Sequence, residues 1–246
     1  MPGPTPRRNS TWFEGMDTKI LAGNLGQFFS DKIDRIREII TTSLQLSTSN
    51  FAVSSLFRTQ TTLTRLSPVT AAEVKQLIQS ALAKTSPTDV IPTSLLKVFI
   101  EEFSLMIAHV ANVSFAAARF PSFMKLRQVT PLLKKPGLDK GDFKNFRPIT
   151  NLTTILKIIE RLALHRLRPQ LASSPNYCIV QSAYCTGRST ETALVKVVND
   201  ILNHIETGSV VALVSLNISA AFDMVNHHTL KTRLEEEFGI SDKALE

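Results

Sequence analysis

Along most of this chain the apolar residues recur with the 3.6-residue period of an amphipathic α-helix. The segment GQFFSDKIDRIREIITTSL, which starts at Gly26, has apolar residues at helical spacing and predicts a helix with Ser30 as its N-cap. Thr70 followed by Glu73 has the pattern of a capping box, which predicts that another helix begins there. Further helices are predicted over residues 93–119, 152–167, 190–205 and 229–238, and Gly239 is expected to end the last of them.

The apolar stripes of two of these helices predict which side chains face the core. For residues 152–167 the inward positions are Leu152, Ile155, Ile159 and Leu162. For residues 190–205 they are Leu194, Val197, Val198, Ile201 and Ile205. The Ser/Thr-rich segment TTSLQLSTSNFAVSS, between the first two helices, has the composition of a linker.

Residues 210–216, VVALVSL, form the clearest strand pattern in the chain, an apolar run that stops at Asn217. The segment RQVTPLLKKPG has too few strand-forming residues to predict a strand, and Pro136-Gly137 predicts a turn. Because a single strand is marginal in water and candidate partners are scarce upstream, we expect the natural domain to continue beyond residue 246.

Composition adds a concentrated positive charge to this picture. The net charge is +7, but residues 121–170 alone hold eleven Lys or Arg against three acids, a net of +8. This stretch, which includes Lys125, Arg127 and Lys144, predicts a polyanion partner such as the RNA or DNA backbone. The alternative is a solvated basic helix face.

Cysteine content and hydropathy favour an intracellular protein. Cys178 and Cys185 are too few for a disulfide framework and no His or Cys pair has zinc-site spacing, so we expect reduced thiols and no metal ligands of this kind. The N-terminus lacks the apolar core of a signal peptide, and no apolar run is long enough to span a bilayer. We therefore expect no membrane partner, and leave nucleus and cytoplasm both open.

From Ser86 onward the chain contains four motifs in series: SPTDVIPTSLLK, VTPLLKKPGLDKGDFKNFRPITNLTTILKIIERL, QSAYCTGRSTETALVKVVNDI and ALVSLNISAAFDMVNHHTLKTRL. The segment LAGNLGQFFSDKIDRIREI precedes them. Together they resemble the reverse transcriptase domain of non-LTR (LINE-type) retrotransposons. The first motif is similar to a family segment written around Asp-Gly-Ile-Pro, with Val90 at the Gly position, and the next two resemble motifs of the fingers. The last resembles the first palm motif, and the preceding segment resembles the connector before the polymerase.

The resemblance implies an α+β fold, a helix-rich fragment of a right-hand polymerase with fingers and the first palm strand but an incomplete palm sheet. It divides the chain into a disordered arm over residues 1–20 and a helical connector with its linker over 21–66. A fingers-like region would follow over 67–208, and the start of the palm over 209–246.

At the end of the first palm strand the family carries an Asp that binds catalytic Mg²⁺, and this chain has Asn217 there. Hard Mg²⁺ prefers carboxylate oxygens, and a carboxamide has no charge to offset that of the ion. The family's other acidic ligands belong to a later palm motif, which lies beyond residue 246. We therefore expect no retained metal site and no polymerisation by this chain alone, although Mg²⁺ serves the intact family.

Other site residues come from the same resemblance. Lys134 or Lys135, with Arg147, match positions that approach the incoming triphosphate, unless Arg147 braces the next helix and the lysines are merely solvated. Phe222 matches the residue that excludes a ribose 2′-hydroxyl, or else packs in a core beneath a turn. Gln181, Tyr184 and Arg188 belong to the motif nearest template and nucleotide, where Cys185 replaces a usual Arg and Arg188 a usual His. His227 and His228 form a structural turn in this interpretation.

Two functions follow from these observations. The first is an inactive piece of an RNA-directed DNA polymerase that retains binding to RNA or DNA backbone. The alternative is a helical protein-interaction module, in which a protein partner covers the exposed edge of the palm.

Overall fold

The computed structural model describes residues 17–46, 61–82, 88–125, 128–218 and 220–246. Seven helices and one hairpin make up these ranges. The helices are α1 (Thr18–Leu46), α2 (Ala71–Ser80), α3 (Thr93–Val98), α4 (Ile100–Ala117), α5 (Thr154–Ser173), α6 (Thr190–Glu206) and α7 (His227–Glu236). The strands are β1 (Gln128–Leu133) and β2 (Phe146–Asn151). Short 3₁₀ turns cover Ser122–Lys125, Phe143–Asn145 and Asp242–Ala244.

The hydrophobic core lies between α2, α3, α4 and α5, where the sequence pattern placed three helical segments, the segment 93–119 being divided into α3 and α4. Val74, Ile78, Leu96, Ile159 and Leu162 are almost completely buried there. The predicted capping box is confirmed, because Thr70 accepts a hydrogen bond from the Glu73 amide and the Glu73 carboxylate accepts one from the Thr70 amide. Apolar spacing and cap chemistry were therefore sufficient to locate this part of the fold.

The first amphipathic helix is longer than predicted. It begins at Thr18 and continues to Leu46, so Ser30 lies inside it and is not an N-cap. Six residues of the predicted linker also belong to this helix. Among its described side chains only Leu25 is buried, and none belongs to the hydrophobic core cluster. The predicted arm lies almost entirely outside the described residues, and the domain boundaries stay a prediction.

The two strands form an antiparallel hairpin that the sequence pattern missed. Pro131 lies opposite Pro148 in its register, and two opposed prolines argue against a strand. The hydrogen bond from the Lys134 amide to the Asn145 carbonyl, 2.8 Å, fixes the alternation of the ladder. In an antiparallel ladder, hydrogen-bonded and non-hydrogen-bonded residue pairs alternate. Counting from Lys134 and Asn145, the pair of Pro131 and Pro148 is a non-hydrogen-bonded one, so neither proline removes a hydrogen bond of the ladder.

The segment over residues 210–216 was predicted as a buried strand, and this prediction is wrong. In the structure it has no regular secondary structure and is largely exposed, with Val210 fully accessible to solvent. A strand is stabilised by its neighbours, and no strand pairs with this segment in the described parts of the chain. The α+β class therefore holds in a coarser form, as a helix-rich structure with one two-stranded sheet.

The apolar stripe of α6 is also exposed, against the prediction that it faces inward. No residue of this helix is buried, and Leu194, Val198 and Ile205 are each about half exposed. Ile201 is only partly covered. Helical periodicity correctly located the helix, but it could not show that nothing in the described structure covers this face.

The end of the chain is held against the segment before α2. The Leu63 amide donates to the Gly239 carbonyl at 2.8 Å, and the Ser241 amide donates to the Leu63 carbonyl at 3.0 Å. Ile240, which is 1% exposed, pairs with Leu63 in an isolated parallel bridge. Gly239 adopts a φ of +66°, so it ends the last helix as predicted. Among the residues that the structure describes, no helix is long and apolar enough to cross a membrane.

Candidate nucleic-acid interface

The loop between β1 and β2, residues 134–145, holds most of the predicted fingers cations. Lys134 donates through Nζ to the Lys144 carbonyl at 2.6 Å, so its head group closes the loop. Lys135 and Lys144 are exposed. The loop acids are engaged with backbone: Asp139 accepts from the Gly141 amide and Asp142 from the Lys144 amide. The loop therefore presents lysines to solvent, Lys135 and Lys144 among them, while its carboxylates stabilise its own turns.

Arg147 lies in the second strand, opposite Leu132, and is exposed. It does not cap the helix that follows. That role belongs to Thr153, which accepts from the Leu156 amide, and to Asp89, which accepts from the Thr154 amide at 2.6 Å. Arg147 is therefore available on the same hairpin as the two loop lysines.

Helix α1 contacts both this loop and the turn over residues 220–224. The ring of Phe28 meets that of Phe143 edge to face, with centroids 5.8 Å apart. Nine residues further on, Arg37 donates to the Asp223 carbonyl at 3.3 Å. At 1.5 Å per residue these contacts are about 13 Å apart along the helix axis. The helix thus connects two regions that the sequence assigned to different motifs.

Tyr184 and Phe222, predicted from separate motifs, come together in the structure. Their rings meet edge to face with centroids 6.3 Å apart, and both side chains are more than three-quarters exposed. Phe222 therefore does not pack in a core, which excludes that alternative. Tyr184 itself has a left-handed φ of +62°, and Ala220, two residues before Phe222, has a φ of +52°. This conformation costs free energy for residues other than glycine.

Two arginines hold the loop that carries Tyr184. Arg168 of α5 donates to the Tyr184 carbonyl at 2.5 Å. Arg188 donates to the carbonyls of Ile179 and Gln181 at 2.7 and 2.6 Å. Gln181 is exposed and donates to the Ala183 carbonyl. A hydrogen bond to the Cys185 thiol raises the pKa of the Tyr177 hydroxyl.

The position that the resemblance predicted as a metal ligand carries a donor that does not fit Mg²⁺. Asn217 is exposed and offers a neutral amide oxygen. The nearby Asp223 is tied to α1 through its backbone carbonyl. Within the described ranges, no group of three or more His, Cys, Asp or Glu is placed to hold a metal ion. A carboxamide alone cannot balance the charge of a divalent ion.

Two predicted contacts to nucleic acid lie before the hairpin. Lys125 ends the 3₁₀ turn Ser122–Lys125 and is exposed. Arg127 lies outside the described residues. Among the contacts of the described residues, Lys125 touches neither the aromatic pair nor the loop lysines.

The sequence places three cations off the apolar stripe of α5, within the basic stretch of residues 121–170, but none of them was predicted as an individual site residue. Lys157, Arg161 and Arg168 are all exposed on the outer face of this helix. A helical-wheel count would have found them, because their spacings of four and seven residues place them on one side. Arg166, by contrast, is 7% exposed in its side chain and forms an ion pair with Glu73, so it belongs to the core.

Residues 133–243 match the reverse transcriptase (RNA-dependent DNA polymerase) family. This match covers the hairpin loop, α5, the aromatic pair and Asn217. Over these residues the chain is similar to part of a reverse transcriptase domain, related to those of non-LTR retrotransposons, and the resemblance inferred from the sequence is confirmed.

The relatives are polymerases of insect mobile elements. The chain is 28% identical over 177 residues to the RNA-directed DNA polymerase from mobile element jockey of Drosophila melanogaster, which covers 70% of the chain and 19% of that relative. It is 25% identical over 236 residues to the probable RNA-directed DNA polymerase from transposon X-element of the same species, covering 95% of the chain and 25% of the relative. The chain thus spans about a quarter or less of the curated relatives it matches.

Proposed function

We propose that this chain supplies the part of an RNA-directed DNA polymerase domain that holds nucleic-acid backbone, and that it does not extend a primer by itself. The observation that carries the binding role is the exposed hairpin of Lys135, Lys144 and Arg147, which falls within the region matching the family. Guanidinium groups form paired hydrogen bonds to phosphate, and ammonium groups act as point charges.

The proposed lack of polymerisation rests on Asn217. A carboxylate about 4 Å from a metal ion contributes roughly 4 kcal/mol per unit charge at an effective dielectric of about 20, before desolvation. The carboxamide forgoes that attraction. Transfer of a nucleotidyl group needs a divalent metal to neutralise the triphosphate. The neutral donor at this position is therefore the feature that argues against polymerisation.

We expect binding of a fluorescein-labelled RNA oligonucleotide to weaken steeply with salt, since each neutralised phosphate contributes about 0.7 to the slope of log affinity against log salt for a single strand. Fluorescence anisotropy between about 50 and 200 mM salt measures the slope. Replacing Lys135 and Arg147 by Gln together should lower it by about 1.4.

The control replaces Arg65 and Lys231 by Gln, which removes the same charge from exposed positions outside the hairpin and α5. This variant should keep the slope of the wild-type protein. Wild-type binding that is indifferent to salt would refute the backbone-binding role. Extension of an annealed primer by the purified chain with Mg²⁺ and deoxynucleotides would refute the proposed inactivity.

A second candidate, a protein-interaction module, is favoured by the uncovered apolar face of α6. Together with residues 210–216 this face exposes many large apolar side chains, and such surfaces mark association sites. Light scattering on the purified chain tests it, because association through this face should give a mass above one chain. Introducing Glu at Val198 should then restore the monomer, whereas a wild-type monomer at all concentrations would exclude self-association through α6.

A further inference from the structure

We infer that the outer face of α5 is a binding rail for a single-stranded nucleic acid, which leads the strand to the exposed aromatic pair of Tyr184 and Phe222. This inference rests on the proposed backbone-binding function and specifies the form of its partner. Neither the rail residues Lys157 and Arg161 nor their link to the rings was predicted from the motifs.

The rail is defined by helix geometry. With 3.6 residues per turn, Lys157, Arg161 and Arg168 lie within about 40° of one another around the axis. Ile159 and Leu162, which are fully buried, lie on the opposite side, so the cations point directly away from the core. Glu160 is the one acid in α5, and it falls to the side of this line. The outward face therefore carries three cations and no acid on their line, with the half-exposed Leu164 between Arg161 and Arg168.

The two exposed cations at the start of the rail have no acidic partner in the structure. Lys157 and Arg161 take part in no ion pair among the described residues. From Lys157 to Arg168 the rail is about 16 Å long, because each helical residue rises 1.5 Å. At the duplex spacing of about 3.4 Å per phosphate on one strand, it spans at most about five phosphates.

Arg168 connects the rail to the rings. Its guanidinium donates to the Tyr184 carbonyl at 2.5 Å, which fixes the C-terminal end of the cationic line beside the aromatic pair. Phe222 lies across from Tyr184, and both rings are open to solvent. A line of positive charge that ends at exposed aromatic side chains is the arrangement by which proteins bind single strands without reading their sequence.

The aromatic pair is the reason to expect a single strand rather than a duplex. Stacking requires the face of an unpaired base, and in a duplex those faces are covered by neighbouring pairs. The rail alone would attract either form, because phosphate contacts carry no information about pairing. Preference for single strands must therefore depend on Tyr184 and Phe222, whereas Lys157 and Arg161 must contribute to the salt dependence beside the hairpin cations.

The test compares a fluorescein-labelled poly(U) oligonucleotide with a duplex RNA of equal length, by anisotropy over a salt series. Replacing Lys157 and Arg161 by Gln should lower the slope for poly(U) by about 1.4. Phe222→Leu should weaken poly(U) binding at least about fivefold and leave its slope unchanged. Arg65 and Lys231 replaced by Gln remain the charge-matched control, and thermal melts should show all variants folded because every changed side chain is exposed.

The outcomes separate this inference from the proposed function. If the wild-type protein binds and the Lys157/Arg161 variant keeps its slope, or if duplex and poly(U) bind equally well, the rail is refuted while the hairpin role stands. If the wild-type protein binds no RNA in a salt-dependent manner, both are refuted. Loss of slope in the α5 variant together with loss of single-strand preference in Phe222→Leu establishes the rail.

Discussion

Replacing Arg166 by Met is expected to destabilise the fold by about 3 kcal/mol, the lower end of the range for breaking a buried ion pair. The guanidinium donates to the carbonyls of Ser67, Pro68 and Leu162 and to both oxygens of Glu73. It also lies 6.0 Å from the centroid of the Phe115 ring. Urea unfolding measures the change. The lower end applies because Glu73 remains partly hydrated.

The pKa of Glu73, the acidic member of this ion pair, depends on the same interaction. Burial raises the pKa of Glu73, but hydrogen bonds from the Thr70 backbone and from Arg166, with the positive charge of Arg166, outweigh burial and lower it overall. A lowered pKa means that the stability contributed by Glu73 is present above its ordinary pKa and is lost as pH falls through the lowered value. The Arg166→Met variant should lose part of this pH dependence.

Arg161→Met is the matched control, since it removes an exposed Arg from the same helix. Surface substitutions of this kind change stability by less than about 0.5 kcal/mol. Equal destabilisation of the two variants would show that the bonds of Arg166 contribute nothing specific. The comparison of the two variants thus distinguishes a structural arginine, Arg166, from Arg161, which we assign to the nucleic-acid rail.

The net charge of residues 121–170 includes Arg166 with the other cations. The position of Arg166 in the helix, however, already distinguishes it from the cations that face solvent. It follows Ile159 by seven residues and Leu162 by four, which places it on the core face. Lys157 and Arg161 fall on the opposite face. Charge summed over a segment therefore predicts a polyanion partner, and only helical phase shows which cations can reach it.

The missed hairpin and the mistaken strand have one physical cause. Pro131 and Pro148 are compatible with a ladder only because their register leaves both away from the hydrogen-bonded positions, and register is a property of the pair. Residues 210–216 have strong strand-forming composition, yet without neighbouring strands they form none. Strand formation depends on pairing partners, whereas helices are predictable from local spacing and caps.

The same distinction between local pattern and tertiary contact applies to the candidate site. The motifs named Tyr184 and Phe222 separately, 38 residues apart, and their ring contact appears only in the structure. That the connector helix holds both the hairpin loop, through Phe28, and the palm turn, through Arg37, depends on tertiary contacts. No local pattern could have indicated those contacts, since neither side chain stands out in the sequence.

Gly239→Ala is expected to destabilise the protein by about 3 kcal/mol, from backbone strain and a clash together. Its φ of +66° disfavours any side chain, and an added Cβ would lie 2.4 Å from the Thr61 carbonyl oxygen and 3.3 Å from Gln170 Nε2. Gln170 also donates to the carbonyls of Thr61 and Phe238, so the clash falls where the chain end, the segment before α2 and the end of α5 meet.

Gly137→Ala provides the matched comparison, because Gly137 has a similar φ of +85° but open space around the added Cβ. It should lose about 1 kcal/mol from strain alone. The difference between the two variants in urea unfolding therefore measures the clash at the Thr61 carbonyl. Equal losses would mean that residues 61–64 and 239–246 separate at little cost. In that event Gln170 would not hold the end of α5, and the rail would depend on Arg168 and the helical core alone for its position.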